Sequence, residues 1–175
     1  ITSQTQSDKA VVLNFFKDYK PVFNFTIPYP THAQDLSASY DKDKKLLVRF
    51  PRNHQATSYC VPQSVTGICH YAFQCCENIE KISIPNSIKE IGIGVFYGCK
   101  KLREINISNH ITKIEGNTFF GCENLERIYI PNSVTEFDSK IFTDCDKLTI
   151  YCHKGSAAEK YAKENNIPVS YAQEN

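Results

Sequence analysis

The chain has 175 residues, a formal net charge of +1 and a pI of about 7.7. This length fits one domain, and the balanced charge gives no electrostatic signal for nucleic acid or an anionic membrane surface. No apolar run reaches the roughly 18 to 20 residues that a membrane span needs, so we expect neither nucleic-acid binding nor direct membrane insertion.

Residues 1–57 are predicted to form an N-terminal flank. Its apolar clusters around Val11–Phe16 and Val22–Phe25 follow no repeat register, which indicates a degenerate repeat or a fragment of a longer chain. Residues 37–51, SASYDKDKKLLVRFP, predict two strands joined by a polar turn at Asp41–Lys44. We expect this hairpin to shield the first repeat.

Residues 58–152 contain a 23-residue repeat. Five apolar columns keep this step, and their members are Phe73, Phe96, Phe119 and Phe142; Cys76, Cys99, Cys122 and Cys145; Ile79, Leu102, Leu125 and Leu148; Val65, Ile88, Ile111 and Val134; and Ile68, Ile91, Ile114 and Phe137. Five columns in register exclude coincidence and indicate a repeat architecture.

Each repeat also contains one short strand with period-2 alternation, as in Ile128 and Ile130. Proline ends this strand at Pro62, Pro85 and Pro131, whereas Ser108 interrupts that pattern. A 23-residue unit with one such strand cannot bury its own apolar side, so it must stack on its copies. The sequence therefore predicts a repeat solenoid.

The repeat CENLERIYIPNSVTEFDSKIFTDC, residues 122–145, resembles the repeats of the BspA-like leucine-rich repeat family. The resemblance covers about residues 59–171. It implies parallel β strands joined by short turns or 3-10 segments. It also implies a secreted or surface-displayed protein of the adhesin type, which binds host extracellular matrix or cell-surface proteins.

Residues 153–175 are predicted to form a C-terminal cap. Ser156 and Glu159 make a capping box, and one apolar face of a short helix follows it, which Asn165 or Asn166 would end. That helix and residues 169–171 should cover the last repeat.

The column of four cysteines has a structural interpretation. One cysteine per repeat places the sulfur atoms on a line about 4.8 Å apart, which does not converge on a metal ion. Parallel Cβ vectors at that spacing are also too far apart for disulfides. We expect this cysteine ladder to be buried and reduced. Outside it, Cys152 takes a buried strand position and Cys60 an outward one.

The segment ICHYAFQCC contains Cys69, His70, Cys75 and Cys76, which suggests a zinc or Cys/His catalytic site. No second ligand pair and no orienting acid follow, so a local Cys69–Cys75 disulfide is the stronger alternative. No catalytic motif occurs elsewhere, and we expect no enzyme, metal or cofactor. The other histidines are predicted to lie on the surface: His32, His54, His110 and His153.

The predicted binding surface is the outward column of the strands. Because Ile128 and Ile130 enter the core, Tyr129 between them should face solvent. The full set is Ser83, Asn106, Tyr129 and Tyr151, with Arg103 and Arg127 beside them. Two adjacent tyrosines next to an arginine have the composition of an interface hot spot, although a cross-strand aromatic pair that protects the sheet would look the same.

Two columns beside the strands alternate in sign, so that neighbouring repeats should pair their charges: Glu80, Arg103 and Glu126, and Lys81, Glu104 and Arg127.

Function and location are expected from the resemblance and the repeat architecture together. Regular solenoid surfaces bind partners, so the leading hypothesis is a noncatalytic protein-binding module, and the alternative is a structural or self-associating solenoid. The chain begins with Ile1, and a signal peptide is expected to have been removed or not included. Sequons at Asn24 and Asn106 would suit glycosylation on a eukaryotic secretory route.

Overall fold

The computed structural model describes residues 38–171. The apolar clusters around Val11–Phe16 and Val22–Phe25, His32 and the Asn24 sequon lie outside the described residues.

The described chain begins with the predicted hairpin, which is confirmed. Strand β1 (Ser39–Tyr40) pairs antiparallel with β2 (Leu46–Arg49). The carboxylate of Asp41 closes the turn, since its Oδ1 accepts the backbone N–H groups of Lys45 and Leu46, both at 2.7 Å. The hydroxyls of Tyr40 and Tyr59 lie 2.5 Å apart, so the hairpin is fastened to the first repeat.

A six-stranded parallel sheet, hereafter the long sheet, runs along one side of the solenoid. Its spatial order is β12-β11-β9-β7-β5-β3. Its strands are β3 (Ser58–Cys60), β5 (Lys81–Ser83), β7 (Glu104–Asn106), β9 (Arg127–Tyr129), β11 (Thr149–Cys152) and β12 (Val169–Tyr171). Each repeat adds one strand, as the period predicts.

A second set of two-residue strands, hereafter the short strands, lies on the opposite side of the core. They are β4 (Gly67–Ile68), β6 (Glu90–Ile91), β8 (Lys113–Ile114) and β10 (Glu136–Phe137). They belong to two separate sheets, β1-β2-β4-β6 and β8-β10. The hydrogen-bonded ladder is therefore interrupted between β6 and β8.

The apolar columns fill the space between the long sheet and the short strands. Rings of the phenylalanine column stack on each other with centroids 5.2 to 5.5 Å apart. This column begins one repeat earlier than predicted, because Phe50 is buried and stacks on Phe73. The core thus extends from the hairpin to the cap without a break, and the predicted solenoid is confirmed.

Each repeat makes two sharp turns, one on either side of its phenylalanine. The residues at these turns have a positive φ, and the two columns are Tyr71, Gly94, Asn117 and Lys140, and Cys75, Gly98, Gly121 and Asp144. Glycine adopts this conformation without a steric penalty, whereas a residue with a Cβ is strained in it by roughly 1 to 2 kcal/mol. Cys75 occupies such a turn, which agrees with its alignment to Gly98.

The predicted helical cap is also confirmed. Helix α1 (Ala157–Glu164) begins after Ser156, whose Oγ accepts the N–H of Glu159 at 3.2 Å. Glu159 reaches back to the N–H of Gly155 at 2.5 Å, one residue before the position of a standard capping box. Tyr161 stacks on Phe137 with ring centroids 4.5 Å apart, so the helix covers the end of the short-strand side.

Candidate functional site

The outward face of the long sheet holds the predicted binding residues. Tyr129 on β9 is in register with Asn106 on β7 and with Tyr151 on β11. Their neighbours Ile128 and Ile150 are buried, as strand alternation requires. Both tyrosines are half-buried. The structure therefore places the two rings on adjacent strands of one surface.

Tyr129 is held in place from the C-terminal side. Its hydroxyl lies 3.0 Å from Nε2 of His153, and the two rings meet edge to face with centroids 6.2 Å apart. Burial raises the pKa of Tyr129 above its ordinary value of 10.0, so its phenol stays neutral at physiological pH. A neutral phenol beside an imidazole can donate or accept hydrogen bonds.

The expected exposure of Ser83 and Asn106 is wrong, because these side chains are only 8% and 6% exposed. Both side chains are short, and the neighbouring strands lie about 4.8 Å away on either side. A short side chain therefore stays between the neighbouring side chains, whereas a tyrosine ring extends beyond them. A glycan on Asn106 would require this buried side chain to leave its place in the sheet.

The two arginines are paired with acids of neighbouring repeats. Arg103 Nη1 lies 3.3 Å from Glu126 Oε1, and Arg127 Nη2 pairs with Oε1 of Glu104. Exposed pairs of this kind contribute about 0 to 1 kcal/mol. These pairs matter more for the charge of the surface than for stability. Opposite charges alternate from repeat to repeat, so the surface has little net charge.

The cysteine ladder is buried and all its thiols are free. Each thiol after the first lies within hydrogen-bond distance of the phenylalanine carbonyl of the preceding repeat. The sulfur-to-oxygen distances are 2.9 Å for Cys99 and Phe73, 3.2 Å for Cys122 and Phe96, and 3.1 Å for Cys145 and Phe119. Contact with Cys76, together with burial, raises the pKa of Cys99, and contact with Cys145 and burial do so for Cys122. The raised pKa keeps the thiols of Cys99 and Cys122 protonated, as is usual for structural buried cysteines.

The ICHYAFQCC segment forms no disulfide. Cys69 and Cys75 are both free, so the Cys69–Cys75 disulfide is not formed. The Nδ1 atom of His70 accepts the backbone N–H of Ile93 at 2.8 Å, which links two repeats. Among residues 38–171 there is no group of three or more His, Cys, Asp or Glu side chains that could hold a metal ion.

Two other cysteines follow the strand alternation. Cys152 is fully buried, whereas Cys60 is half-buried, and burial raises its pKa to about 11.

One column of polar residues was missed from the sequence. Lys101 donates to Oδ1 of Asn78 at 3.2 Å, and Lys147 donates to Oδ1 of Asn124 at 2.5 Å. The same asparagines donate to backbone carbonyls of the preceding repeat, those of His54 and Lys100. This column could have been found from the 23-residue step, because the four positions read Asn, Lys, Asn and Lys in order.

A groove of about 540 Å³ lies on the outside of the turns that follow the phenylalanine column. Tyr97 and Phe120 stack along it, with centroids 5.0 Å apart and rings nearly parallel. The ammonium of Lys100 at its rim is bound to Glu123 at 2.7 Å. The two rings give the groove an apolar strip, and the ion pair lies at its rim.

Within the described range, no helix is long and apolar enough to cross a membrane.

Several solved structures of bacterial proteins have a similar fold. A leucine-rich cell surface protein of Faecalibacterium prausnitzii is 30% identical with a TM-score of 0.52, and the match covers 67% of this chain and 37% of that one. A leucine-rich repeat protein of Eubacterium ventriosum is 21% identical, with a TM-score of 0.52 and coverages of 65% and 37%. The T. pallidum leucine-rich repeat protein is 23% identical, with a TM-score of 0.55 and coverages of 68% and 69%. The chain thus spans little more than a third of the first two proteins.

No curated protein matches the chain. A profile of the BspA type leucine-rich repeat region, in contrast, matches residues 49–154 in six copies. The match begins before residue 58 and includes Phe50. Leucine-rich repeats are a general scaffold for protein interaction and are typically noncatalytic. Because the profile spans more than half of its length, the chain belongs to the BspA-type leucine-rich repeat family.

Proposed function

We propose that this chain is a noncatalytic protein-binding module of a secreted or surface-displayed, adhesin-like protein. Its ligand is a protein of a host's extracellular matrix or cell surface. The outward face of the long sheet makes the contact, through Tyr129 and Tyr151 with Arg103 and Arg127 beside them.

The observation that carries the proposal is the pair of tyrosines in register on β9 and β11. A tyrosine offers a large contact area and loses little conformational entropy on binding, and tyrosine and arginine are enriched at interface hot spots. The hydrogen bond between Tyr129 and His153 and the paired strands beneath hold one ring in place before a partner arrives. Such pre-organisation lowers the entropic cost of association.

The charges of this face point to the chemistry of the partner. Arg103 and Arg127 are each paired with a glutamate, so the face has alternating charges and little net field. A partner that depended on charge would gain little from it. The proposal therefore requires contacts made by apolar and hydrogen-bonding groups, and an affinity that changes little between low and physiological salt.

The experiment is capture of proteins from extracellular-matrix and cell-surface extracts, followed by affinity measurement with the captured protein. The double variant Tyr129→Ala, Tyr151→Ala should lose at least ~10-fold in affinity, as removal of hot-spot residues does. The matched control is Tyr71→Ala, which removes an exposed tyrosine that lies outside the long sheet. Undiminished affinity of a folded double variant, or an equal loss in the control, would place the contact elsewhere.

A self-associating solenoid is the second candidate, and one observation favours it. Leu46 and Val48 on β2 are each 41% exposed, and Ile93 is 37% exposed. Leu46 and Val48 lie at the N-terminal end of the described solenoid, where exposed apolar side chains can pair with a second copy. Light scattering over a range of concentrations separates the two functions: oligomers without a partner support self-association, and a monomer at every concentration contradicts it.

A further inference from the structure

We propose that the solenoid flexes at one step, between the facing segments Lys89–Gly92 and Thr112–Glu115, while the long sheet on the opposite side acts as the hinge. These two segments, which contain β6 and β8, are called the joint. A motion there changes the curvature of the long sheet and so alters the shape of its outward face.

The first evidence is the pattern of backbone hydrogen bonds on either side of the joint. Before it, the N–H groups of Lys89 and Gly92 donate to the carbonyls of Thr66 and Ile68 at 2.8 and 2.9 Å. After it, the N–H groups of Thr135 and Asp138 donate to the carbonyls of Thr112 and Ile114 at 2.9 and 3.1 Å. These four bonds hold their repeats together on the short-strand side.

At the joint itself the equivalent bonds are missing. They would join the N–H groups of Thr112 and Glu115 to the carbonyls of Lys89 and Ile91. Among residues 38–171, neither bond is formed, and β6 and β8 belong to different sheets. A cavity of about 450 Å³ borders both segments. Two repeats that are tightly bonded elsewhere are therefore separated here.

The separation has a cause on the N-terminal side. Gly92 lies so close to the preceding repeat that a Cβ built on it would be 2.6 Å from the backbone nitrogen of His70. The bond between the N–H of Ile93 and Nδ1 of His70, at 2.8 Å, keeps the two repeats in this contact. Both contacts hold β6 to the preceding repeat, whereas β6 and β8 belong to different sheets.

On the other side of the core the same two repeats stay bound. β7 is paired with both β5 and β9, and the rings of Phe96 and Phe119 stack with centroids 5.2 Å apart. Beyond the joint, the N–H of Gly94 donates to the carbonyl of Gly116 at 3.1 Å. An opening motion is therefore confined to the short-strand side, and the continuous long sheet bends with it.

A side-chain bond at Ser108 limits the opening. Ser108 stands where three other repeats have proline, and its hydroxyl donates to the carbonyl of Ile88 in the preceding repeat at 2.8 Å. This bond lies next to the joint and connects the two repeats that flank it. It acts as a latch whose removal should favour the open form.

Methyl relaxation dispersion by NMR tests the joint, because it detects exchange on the μs–ms timescale of such motions. Ile91 and Ile114 belong to the joint. Ile82 and Ile105 on the long sheet are controls in the same two repeats, and Ile128 is a control in the next repeat. We expect large dispersion at the first two and much smaller dispersion at the other three, because the long sheet bends while its strands stay paired. Flat profiles at Ile91 and Ile114, or equal dispersion at all five, would overturn the proposal.

The Ser108→Ala variant provides a second test. Without the latch, the exchange contribution at Ile91 and Ile114 should at least double, while Ser133→Ala should leave it unchanged. Ser133 is a suitable control because its buried hydroxyl has no hydrogen-bond partner in the described part of the chain. An unchanged exchange contribution in Ser108→Ala would contradict the latch and the joint that it limits. No ligand is required, so neither result depends on the proposed binding function.

Discussion

The two sides of this solenoid are built from the same repeats but differ in continuity. The long sheet keeps six parallel strands in one ladder, whereas the short strands divide into two sheets between β6 and β8. Long-sheet strands have three or four residues, and the short strands have two. A two-residue strand makes so few ladder bonds that one close contact, such as that of Gly92 with His70, can disrupt it.

The comparison shows which interactions hold adjacent repeats together at each step. On the long sheet the backbone ladder does so. At the joint, the core columns and the cysteine ladder must hold the repeats without help from the short strands. In a solenoid, each repeat contacts only its neighbours, so a weak step divides the molecule into two parts with different local stability.

The largest expected effect comes from removal of the cap, which covers both sides at once. Truncation after Cys152 removes β12 from the edge of the long sheet and Tyr161 from its contact with Phe137. The last repeat then exposes a full layer of apolar side chains. We expect aggregation or loss of cooperative unfolding, measured by light scattering and thermal melting. A truncated chain that stays monomeric with an unchanged Tm would show that residues 153–171 are not a cap.

A pair of isoleucine variants compares the two sides directly. Ile105 faces the core from the long sheet and is 1% exposed, and Ile91 faces it from the joint and is 7% exposed. Ile→Ala in a core costs about 2 to 5 kcal/mol, and the cost is smaller where the site can relax. We expect Ile105→Ala to fall in the upper half of this range and Ile91→Ala in the lower half, as measured by urea unfolding. Equal losses would mean that the joint is packed as tightly as the long sheet.

The repeat period was enough to predict the core but not the difference between its two sides. Members of the five columns, such as Ile88 and Leu102, are buried because every 23rd residue returns to the same place in the stack. The hairpin and the cap also followed from local signals, namely the polar turn at Asp41 and the capping residue Ser156. Phe50 lies one 23-residue step before Phe73, but it precedes residue 58, where the predicted repeats begin.

Three features depended on geometry that a column pattern does not contain. The joint results from a close backbone contact at Gly92. Missing hydrogen bonds between strands do not change the spacing of apolar side chains, so the sequence pattern does not reveal them. The burial of Ser83 and Asn106 depends on how far a short side chain extends between neighbouring strands. The hydrogen bonds of the cysteine thiols depend on where the phenylalanine carbonyls lie. The sequence does not give these positions, so it indicated only that the cysteines are small buried side chains. The binding role of the outward face is still a prediction.

The cysteine ladder allows a smaller, matched comparison of two steps. The thiol of Cys122 bonds Phe96 across the joint, whereas that of Cys99 bonds Phe73 across an intact step. Loss of a buried partner costs about 1 to 3 kcal/mol, so we expect both Ala variants to destabilise the chain by ~1 to 2 kcal/mol. Cys122→Ala should also broaden the unfolding transition, because its step has no outer ladder. Identical transition widths in the two variants would contradict this difference.

The smallest expected effect concerns the carboxylate that ties the cap to the edge of the long sheet. Glu159 is 6% exposed and accepts three hydrogen bonds, from Lys163 Nζ at 2.6 Å, the Tyr171 hydroxyl at 2.7 Å and the Gly155 N–H at 2.5 Å. Together these bonds lower the pKa of Glu159 from its ordinary value of 4.5 to about 2, and the bond from Lys163 makes the largest contribution. The folded state therefore binds the proton more weakly than the unfolded state does.

The sign of the pH dependence follows from this lowered pKa. The stabilisation by the Glu159 carboxylate is complete above pH 4.5 and is lost as the pH falls from about 4.5 toward 2. We expect Glu159→Gln to be less stable than the wild type at pH 7 and to lose less stability between pH 4.5 and 2, as measured by urea unfolding at each pH. Glu164→Gln is the control, since it removes an exposed carboxylate from the same helix. If Glu159→Gln loses as much stability as the wild type between pH 4.5 and 2, the three hydrogen bonds of the Glu159 carboxylate do not stabilise the contact between the helix and β12.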